Sequence, residues 1–398
     1  MPEIIQIDPK TVAEETGHLY WKCFGPHQKK EDVMKWVEVE DPNVLGLETI
    51  FGAKGEDGKM IMQVGVTNNI ENQIRGANLR FAGIAGVTTL PEFRRDRLVR
   101  KAFEKFFVWA NENNVVFSAL APFSFAFYEK FGYALAGQMH KYQFDFTNLK
   151  HITGPEDISF REYDYEKDAA GVMDVQRSMA RFGSRALVQE RQLKKKQDKV
   201  HEYVFERAGK IVGYTRVSFK EIADWTHRMG VYYTWFSEED VLSAIVDFVY
   251  RYGSQVKEIH WSIDPEIPLE FYLKEPGHTE RKREGGMMIR VIQFKEFCQQ
   301  IKVPLWASEP VVVKLIDEHC PWNAGVWKLI PVSGRLEIQP CDEKPEITFE
   351  PVQLSYALSG LLTANRLRRL GGLECSADAA EHFSRIFPPD SYVSYIEF

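Results

Sequence analysis

Apolar positions change their period along the chain, and those changes mark out its elements. Ile4 to Ile7 reads as a first strand. Lys10 to Phe24 carries Val12, Thr16, Leu19, Tyr20 and Cys23 at helical spacing, and Gly25-Pro26 stops it. Lys29 to Val39 repeats that spacing with Val33, Trp36 and Val37 on one face. Leu45 to Ala53 and Lys59 to Val66 read as a hairpin across Lys54-Gly55-Glu56-Asp57-Gly58. Asn78 to Leu90 predicts a long strand ending at Pro91. Four arginines, Arg94, Arg95, Arg97 and Arg100, then open an amphipathic helix whose packed stripe is Phe103, Phe106, Phe107 and Ala110. Val115 to Leu120 predicts another strand. Ala121-Pro122-Phe123-Ser124 opens a short helix carrying Tyr128, and Ala134 to Phe146 is expected to close a first domain.

Thr147 to Asp157, holding Gly154 and Pro155, reads as a linker. The same order then returns in shorter form between Ile158 and about Pro276: strand, helix Lys167 to Ser178, a hairpin around Gly209, strand Met229 to Trp235, helix Ser237 to Tyr252 and strand Glu258 to Ile263. Val241, Ile245, Phe248 and Val249 form the inward face of that last helix. A second linker, Arg281 to Gly286, precedes a final mixed region of short strands with helices at Lys295 to Ile301, Pro351 to Leu362 and Ala377 to Phe387. The pattern predicts an α+β chain with domains at 1–150, 151–285 and 286–398.

Composition narrows the class. With 44% hydrophobic and 27% charged residues over 398 positions, the chain suits two or three globular domains. Its apolar runs are too short to span a bilayer, and MPEIIQIDP lacks the basic start of a secretory leader. The five cysteines are scattered without a C-x-x-C, which argues against a zinc site or disulfide framework and for a reducing, cytoplasmic setting. A net charge of −7 disfavours nucleic acid and suits a cationic amine. The basic run Arg191 to Lys199 is accordingly read as a solvated face.

One stretch carries candidate chemistry. A strand that stops where an arginine-rich helix begins offers unpaired N–H groups and a favourable dipole to an anion, here read as a pyrophosphate. The order strand, Arg94-Arg95 helix start, strand, then Phe127-Tyr128-Glu129-Lys130-Phe131-Gly132-Tyr133 resembles the GNAT superfamily of N-acetyltransferases. The chain's length and its apolar tail, closing on Phe398, resemble the enhanced intracellular survival (Eis) type. That type has two tandem GNAT-like domains followed by a sterol-carrier-like α+β domain.

The resemblance implies acetyl-CoA as co-substrate and no metal. It assigns backbone donors to Val87, Thr88 and Thr89, which would hold the pantetheine arm and the oxyanion. It assigns the pyrophosphate turn to Arg94, Arg95, Asp96, Arg97, Leu98, Val99 and Arg100, and a further backbone contact to Phe123 and Ser124. Tyr128 is the implied general acid toward the leaving thiolate, and the carboxylate of Phe398 the implied proton acceptor. Two positions depart from the family motif: Arg97 stands where it has glycine, and Val99 where it has a small residue. The second copy is acidic at the matching helix start, Phe236-Ser237-Glu238-Glu239-Asp240, so only the first domain is expected to bind CoA. The family also implies a homo-oligomer, often a hexamer, and a polyamine, aminoglycoside or lysine side chain as acceptor. Arg97 leaves open a catalytically degenerate CoA-binding or lipid-binding protein that uses the C-terminal pocket.

Overall fold

The computed structural model describes residues 2–34, 47–67, 71–194, 196, 199–223 and 225–395. Trp36, Val37 and Phe398 lie outside the described residues. Contacts divide the chain into two units, one of Met1–Ala136 with Met287–Asp390, the other of Gly137–Gly286 with Ser391–Ile396.

The first unit opens with β1 (Ile5–Ile7), α1 (Ala13–Phe24), α2 (Lys30–Met34), β2 (Thr49–Lys54), β3 (Met60–Thr67), and the small pair β4 (Asn72–Ile74) and β5 (Ala77–Asn78). It continues through β6 (Phe81–Thr89), α3 (Leu98–Glu112), β7 (Phe117–Leu120) and α4 (Phe125–Glu129). The stripe expected on α3 is buried as Leu98, Ala102, Phe103, Phe106, Phe107 and Ala110. Phe103 stacks on Phe131 with ring centroids 4.3 Å apart. The helix ends at Asn113, whose side-chain amide donates to Trp109 O at 2.8 Å, and Asn114 follows with φ +56°. One sequence expectation is corrected here. Arg94, Arg95 and Arg97 precede α3 rather than forming its first turn, which begins at Leu98.

Next along the chain come β8 (Ala134–Asp145), β9 (Ile158–Glu162), α5 (Ala169–Ser178), β10 (Ser184–Ala186), α6 (Glu190–Leu193) and β11 (Val200–Arg207). β12 (Lys210–Ala223), β13 (Thr226–Phe236), α7 (Val241–Tyr250) and β14 (Val256–Ile263) follow. The remainder is β15 (Glu280–Val291), α8 (Phe294–Gln300), β16 (Val311–Leu315), β17 (Gly325–Val332), β18 (Arg335–Pro340), β19 (Ile347–Phe349), α9 (Pro351–Ser359), α10 (Ala364–Arg369), α11 (Ala377–Ile386) and β20 (Tyr392–Ser394).

The two units repeat one strand plan. In the first, the order β1-β2-β3-β6-β7-β15 has β6 and β7 parallel and its other recorded pairs antiparallel. In the second, β9-β11-β12-β13-β14-β8 likewise has only β13 and β14 parallel among its recorded pairs. The closing strands differ from the sequence reading. Residues His140 to Asp145, expected to finish the first domain, pair with β14. Met288 to Val291, expected to start the last domain, pair with β7. In the C-terminal region β18-β17-β16-β19 form a separate small sheet, with α11 against β16 and Phe383 packed on Phe349 at 4.8 Å.

Candidate active site

The site begins with a defect in β6. Thr88 faces Gln63 and Ala85 faces Gly65, so Val64 alone opposes Gly86 and Val87. This is a β-bulge, and Gly86 takes the left-handed conformation it needs, φ +56°. A side chain at Gly86 would collide with the Tyr20 hydroxyl and come within 2.8 Å of Tyr20 Cζ. Past the bulge, β6 parts from its neighbour. Its parallel pairing with β7 ends at Ile84 and Leu120, while β6 runs on to Thr89. Backbone groups on that edge of residues 85–89 therefore face a gap instead of a strand.

A tight loop closes one end of the gap. Pro91–Phe93 forms a 3₁₀ turn, and Arg94 Nε then donates to Thr89 O at 3.2 Å. Arg95 and Arg97 are both left-handed, with φ +76° and +59°, and Arg97 is the N-cap of α3. Such residues bend successive N–H groups toward one side, the geometry of an anion nest. Lys101 N–H bonds back to Arg97 O at 3.2 Å. The first N–H groups of α3, from Leu98 to Arg100, precede that bond and are open to a ligand.

The resulting cleft has a volume of about 950 Å³. It gathers Val87, Thr88, Thr89, Arg94, Arg95, Arg97, Leu98, Val99, Arg100 and Phe123 from among the residues expected at a CoA site. Asp96 and Ser124 are not in its lining; Asp96 is exposed in the loop, and Ser124 is the N-cap of α4. The hydroxyls of Thr88 and Thr89 are buried without a hydrogen-bond partner among the described residues.

Tyr128 lies behind this lining, 2% exposed. Its ring meets Phe123 at 5.2 Å, Phe127 at 5.1 Å and Phe103 at 6.1 Å. Phe123 and Phe127 are themselves in the cleft wall. Burial raises the Tyr128 phenol above its ordinary value, so it keeps its proton through the physiological range. Among the described residues its hydroxyl has no hydrogen-bond partner. Tyr133, read as core, is fully buried and shares a 2.8 Å hydrogen bond with Ser118.

Sequence reasoning missed several contributors. Cys23, Phe24, Phe93 and Lys130 also line the cleft, and Cys23 Sγ donates to Thr89 O at 3.5 Å. The signal for Cys23 and Phe24 was the α1 face they share with Tyr20, which spacing alone assigns to packing. Also missed was Arg290, 1% exposed, whose guanidinium donates to Phe131 O and to Asp317 Oδ1 at 2.6 Å. It lies where a side chain at Gly132, φ +80°, would project. That glycine thus opens the Phe131-Gly132-Tyr133 turn to a buried ion pair from β15.

Comparison with known proteins identifies the domains and the fold. Residues 12–136 match the family described as acetyltransferase (GNAT) domain, and residues 294–394 the sterol carrier protein domain. No curated protein matches the chain by sequence. Solved structures do match its fold. A GCN5-related N-acetyltransferase from Anabaena variabilis superposes with a TM-score of 0.86 at 17% identity, covering 100% of both chains. Eis1 from Mycobacterium abscessus gives 0.81 at 16% identity, again over 100% of both. A probable N-acyltransferase from Enterococcus faecalis gives 0.85 at 17%, with the same coverage. Among the described residues no helix is long and apolar enough to cross a membrane. The chain thus carries a GNAT acetyltransferase domain over residues 12–136 and a sterol carrier protein domain over residues 294–394.

Proposed function

We propose that the chain transfers the acetyl group of acetyl-CoA to a primary amine by direct attack. The observation that carries this reading is the strand gap at Gly86–Val87 opening onto the left-handed arginine loop within one cleft. The fit to the co-substrate is chemical. Unpaired N–H groups at the start of α3 and the guanidinium groups of Arg94, Arg95, Arg97 and Arg100 suit a pyrophosphate. The open edge of Val87 to Thr89 suits a pantetheine amide and a thioester oxygen.

In this reading the amine nitrogen attacks the thioester carbonyl carbon, and backbone N–H groups at Val87 to Thr89 stabilise the oxyanion. Collapse breaks the carbon–sulfur bond, and the Tyr128 hydroxyl protonates the departing thiolate. A buried phenol in an apolar slot remains a proton donor at neutral pH. The α-carboxylate of Phe398 accepts the proton lost by the amine. The acceptor is a cationic amine: a polyamine, an aminoglycoside or a lysine side chain. We also expect a homo-oligomer, which sedimentation equilibrium would test.

The deciding experiment is thiol release from acetyl-CoA against a panel of such amines. Wild type is run beside Tyr128→Phe and a chain lacking Phe398. Amine-dependent release that drops about a hundredfold or more in Tyr128→Phe supports the general-acid role. Arg97 favours a second reading, a CoA-binding protein without turnover. Binding of acetyl-CoA with no release for any amine would select it.

A further inference from the structure

The second unit contains the same strand gap as the first, with a different occupant. Between Tyr214, which faces Trp235, and Arg216, which faces Tyr232, only Thr215 opposes Tyr233 and Thr234. β13 is therefore bulged as β6 is, and Tyr233 is left-handed with φ +53°. Its parallel pairing with β14 ends at Val231 and Trp261, leaving the later residues of β13 without that neighbour. In the first unit this geometry opens a cleft. Here the ring of Tyr395 stands in the gap. It crosses Tyr233 at 5.0 Å and Trp235 at 5.4 Å, both nearly edge-on, at 88° and 84°. Tyr233 donates its hydroxyl to Tyr395 O at 3.3 Å. On the opposite side the Tyr395 hydroxyl donates to Asp264, one residue past the end of β14.

Everything around this contact is built to hold it. Asp264 is fully buried and paired with Arg185, whose Nη1 reaches Asp264 Oδ2 at 2.8 Å with both side chains at most 2% exposed. Arg185 lies on β10, which pairs in parallel with β20 from Ser184–Tyr392 to Ala186–Ser394. Tyr392 and Val393 are each 1% exposed. Gly137 supplies the remaining room. A side chain there would collide with the Tyr392 carbonyl and come within 2.9 Å of its nitrogen. No left-handed backbone demands this glycine; the close approach of β20 does.

We infer that the second domain has turned its acyl-donor gap into a socket for the chain's own segment 391–395, read through the Tyr395 hydroxyl by Asp264 and oriented by Arg185. The ligand class is an extended peptide bearing a tyrosine. Backbone pairing along β10 gives it affinity, and the buried carboxylate selects the phenol. The segment fills the place where a second CoA would enter, so the chain binds one CoA. That last consequence alone rests on the CoA reading above.

The test uses the full chain with Tyr395→Phe, Asp264→Asn, their double variant, and Gly137→Ala. Hydrogen exchange of the amides of 392–395 reads docking directly and needs no activity. Tyr395→Phe and Asp264→Asn should each speed exchange there about tenfold to a hundredfold, the range for a hydrogen bond to a charged group. The double variant should be no faster than Asp264→Asn alone, because Asp264→Asn already alters the acceptor that Tyr395→Phe leaves unused, along with the Arg185 pair. Gly137→Ala should release the segment while leaving both partners intact. Unchanged exchange in the two single variants, or additive effects in the double, overturns the socket. Calorimetry with acetyl-CoA adds a second arm. One site per wild-type chain is expected, and two sites would refute the blocked gap. No binding at all would sink the CoA reading and leave the exchange result to decide the socket by itself.

Discussion

Replacing Gly86 by alanine should damage the first unit locally, in two separable parts. The new Cβ enters a residue at φ +56°, which costs about 1–2 kcal/mol for a side-chain-bearing residue. It also runs into the Tyr20 ring, with Cζ at 2.8 Å and Cε2 at 2.9 Å. Overpacking of this kind costs about 1–3 kcal/mol. The sum is about 2–5 kcal/mol, drawn from the pairing of β3 with β6. Tyr20→Ala removes the obstacle, so a double-mutant cycle separates the parts. Overpacking should cancel, giving a coupling of about 1–3 kcal/mol, while left-handed strain persists. Native-state hydrogen exchange of the amides of residues 62–66 and 82–85 reads the effect without requiring the whole chain to unfold in one step. A Gly86→Ala cost below about 0.5 kcal/mol, or an additive cycle, would falsify the claim that the bulge is glycine-dependent and braced by Tyr20.

Three further outcomes follow from particular contacts. Arg97 is left-handed, so Arg97→Gly should be about 1 kcal/mol more stable than Arg97→Ala, while both bind acetyl-CoA more weakly and with less salt dependence than wild type; equal stability of the pair would contradict the strain. Asp317→Ala strands the buried Arg290 guanidinium and should cost about 3–5 kcal/mol, with Arg290→Met added in the same chain recovering much of it; urea titration decides, and no recovery counts against the ion pair. Burial pushes the Tyr20 phenol up to about 12, against about 10 in an unfolded chain, so the unfolded state sheds this proton first. Tyr20 therefore costs stability as pH climbs past about 10, and thermal melts should show the alkaline loss reduced in Tyr20→Phe but unchanged at neutral pH.

What the sequence disclosed and what it hid divide along a physical line. Local chemistry was legible. The arginine cluster, the Phe127 to Tyr133 run and the apolar stripe of α3 are properties of neighbouring residues, and ten of the residues named for the donor site line one cleft. Properties set by pairing were not. Nothing local says that Val64 will face two residues of β6, or that Arg95 and Arg97 will turn left-handed ahead of α3. The closing strands show the same limit. His140 to Asp145 and Met288 to Val291 have the period of any strand, and only the sheet decides which neighbour each meets. Gly132 and Gly137 carried a visible hint, since a glycine in or beside a strand often marks a close approach. The identity of what approaches, Arg290 in one case and Tyr392 in the other, is long-range information.

The paired gaps show why one fold repeated in a chain need not repeat a function. A bulge fixes only that two parallel strands separate; the charge at the helix start decides what can enter. Ahead of α3 that loop offers Arg94, Arg95 and Arg97 to the cleft. Ahead of α7 the polarity is reversed. Glu238 and Asp240 converge on Arg207, joined by Asp157 at 2.7 Å, and Arg207 holds the Asp240 carboxyl below its ordinary range. The cation there comes from β11 and is already occupied by carboxylates. A pyrophosphate approaching α7 would meet acidic groups at the very N–H donors that a helix start offers, and Coulomb repulsion would cancel the dipole's attraction. A neutral aromatic with one hydroxyl suffers no such penalty, and the buried Asp264 gives that hydroxyl a charged acceptor. The acidic helix start and the tyrosine-filled gap are therefore mutually consistent. The first disfavours an anionic ligand by charge, and the second is an occupant that the same strand geometry can hold.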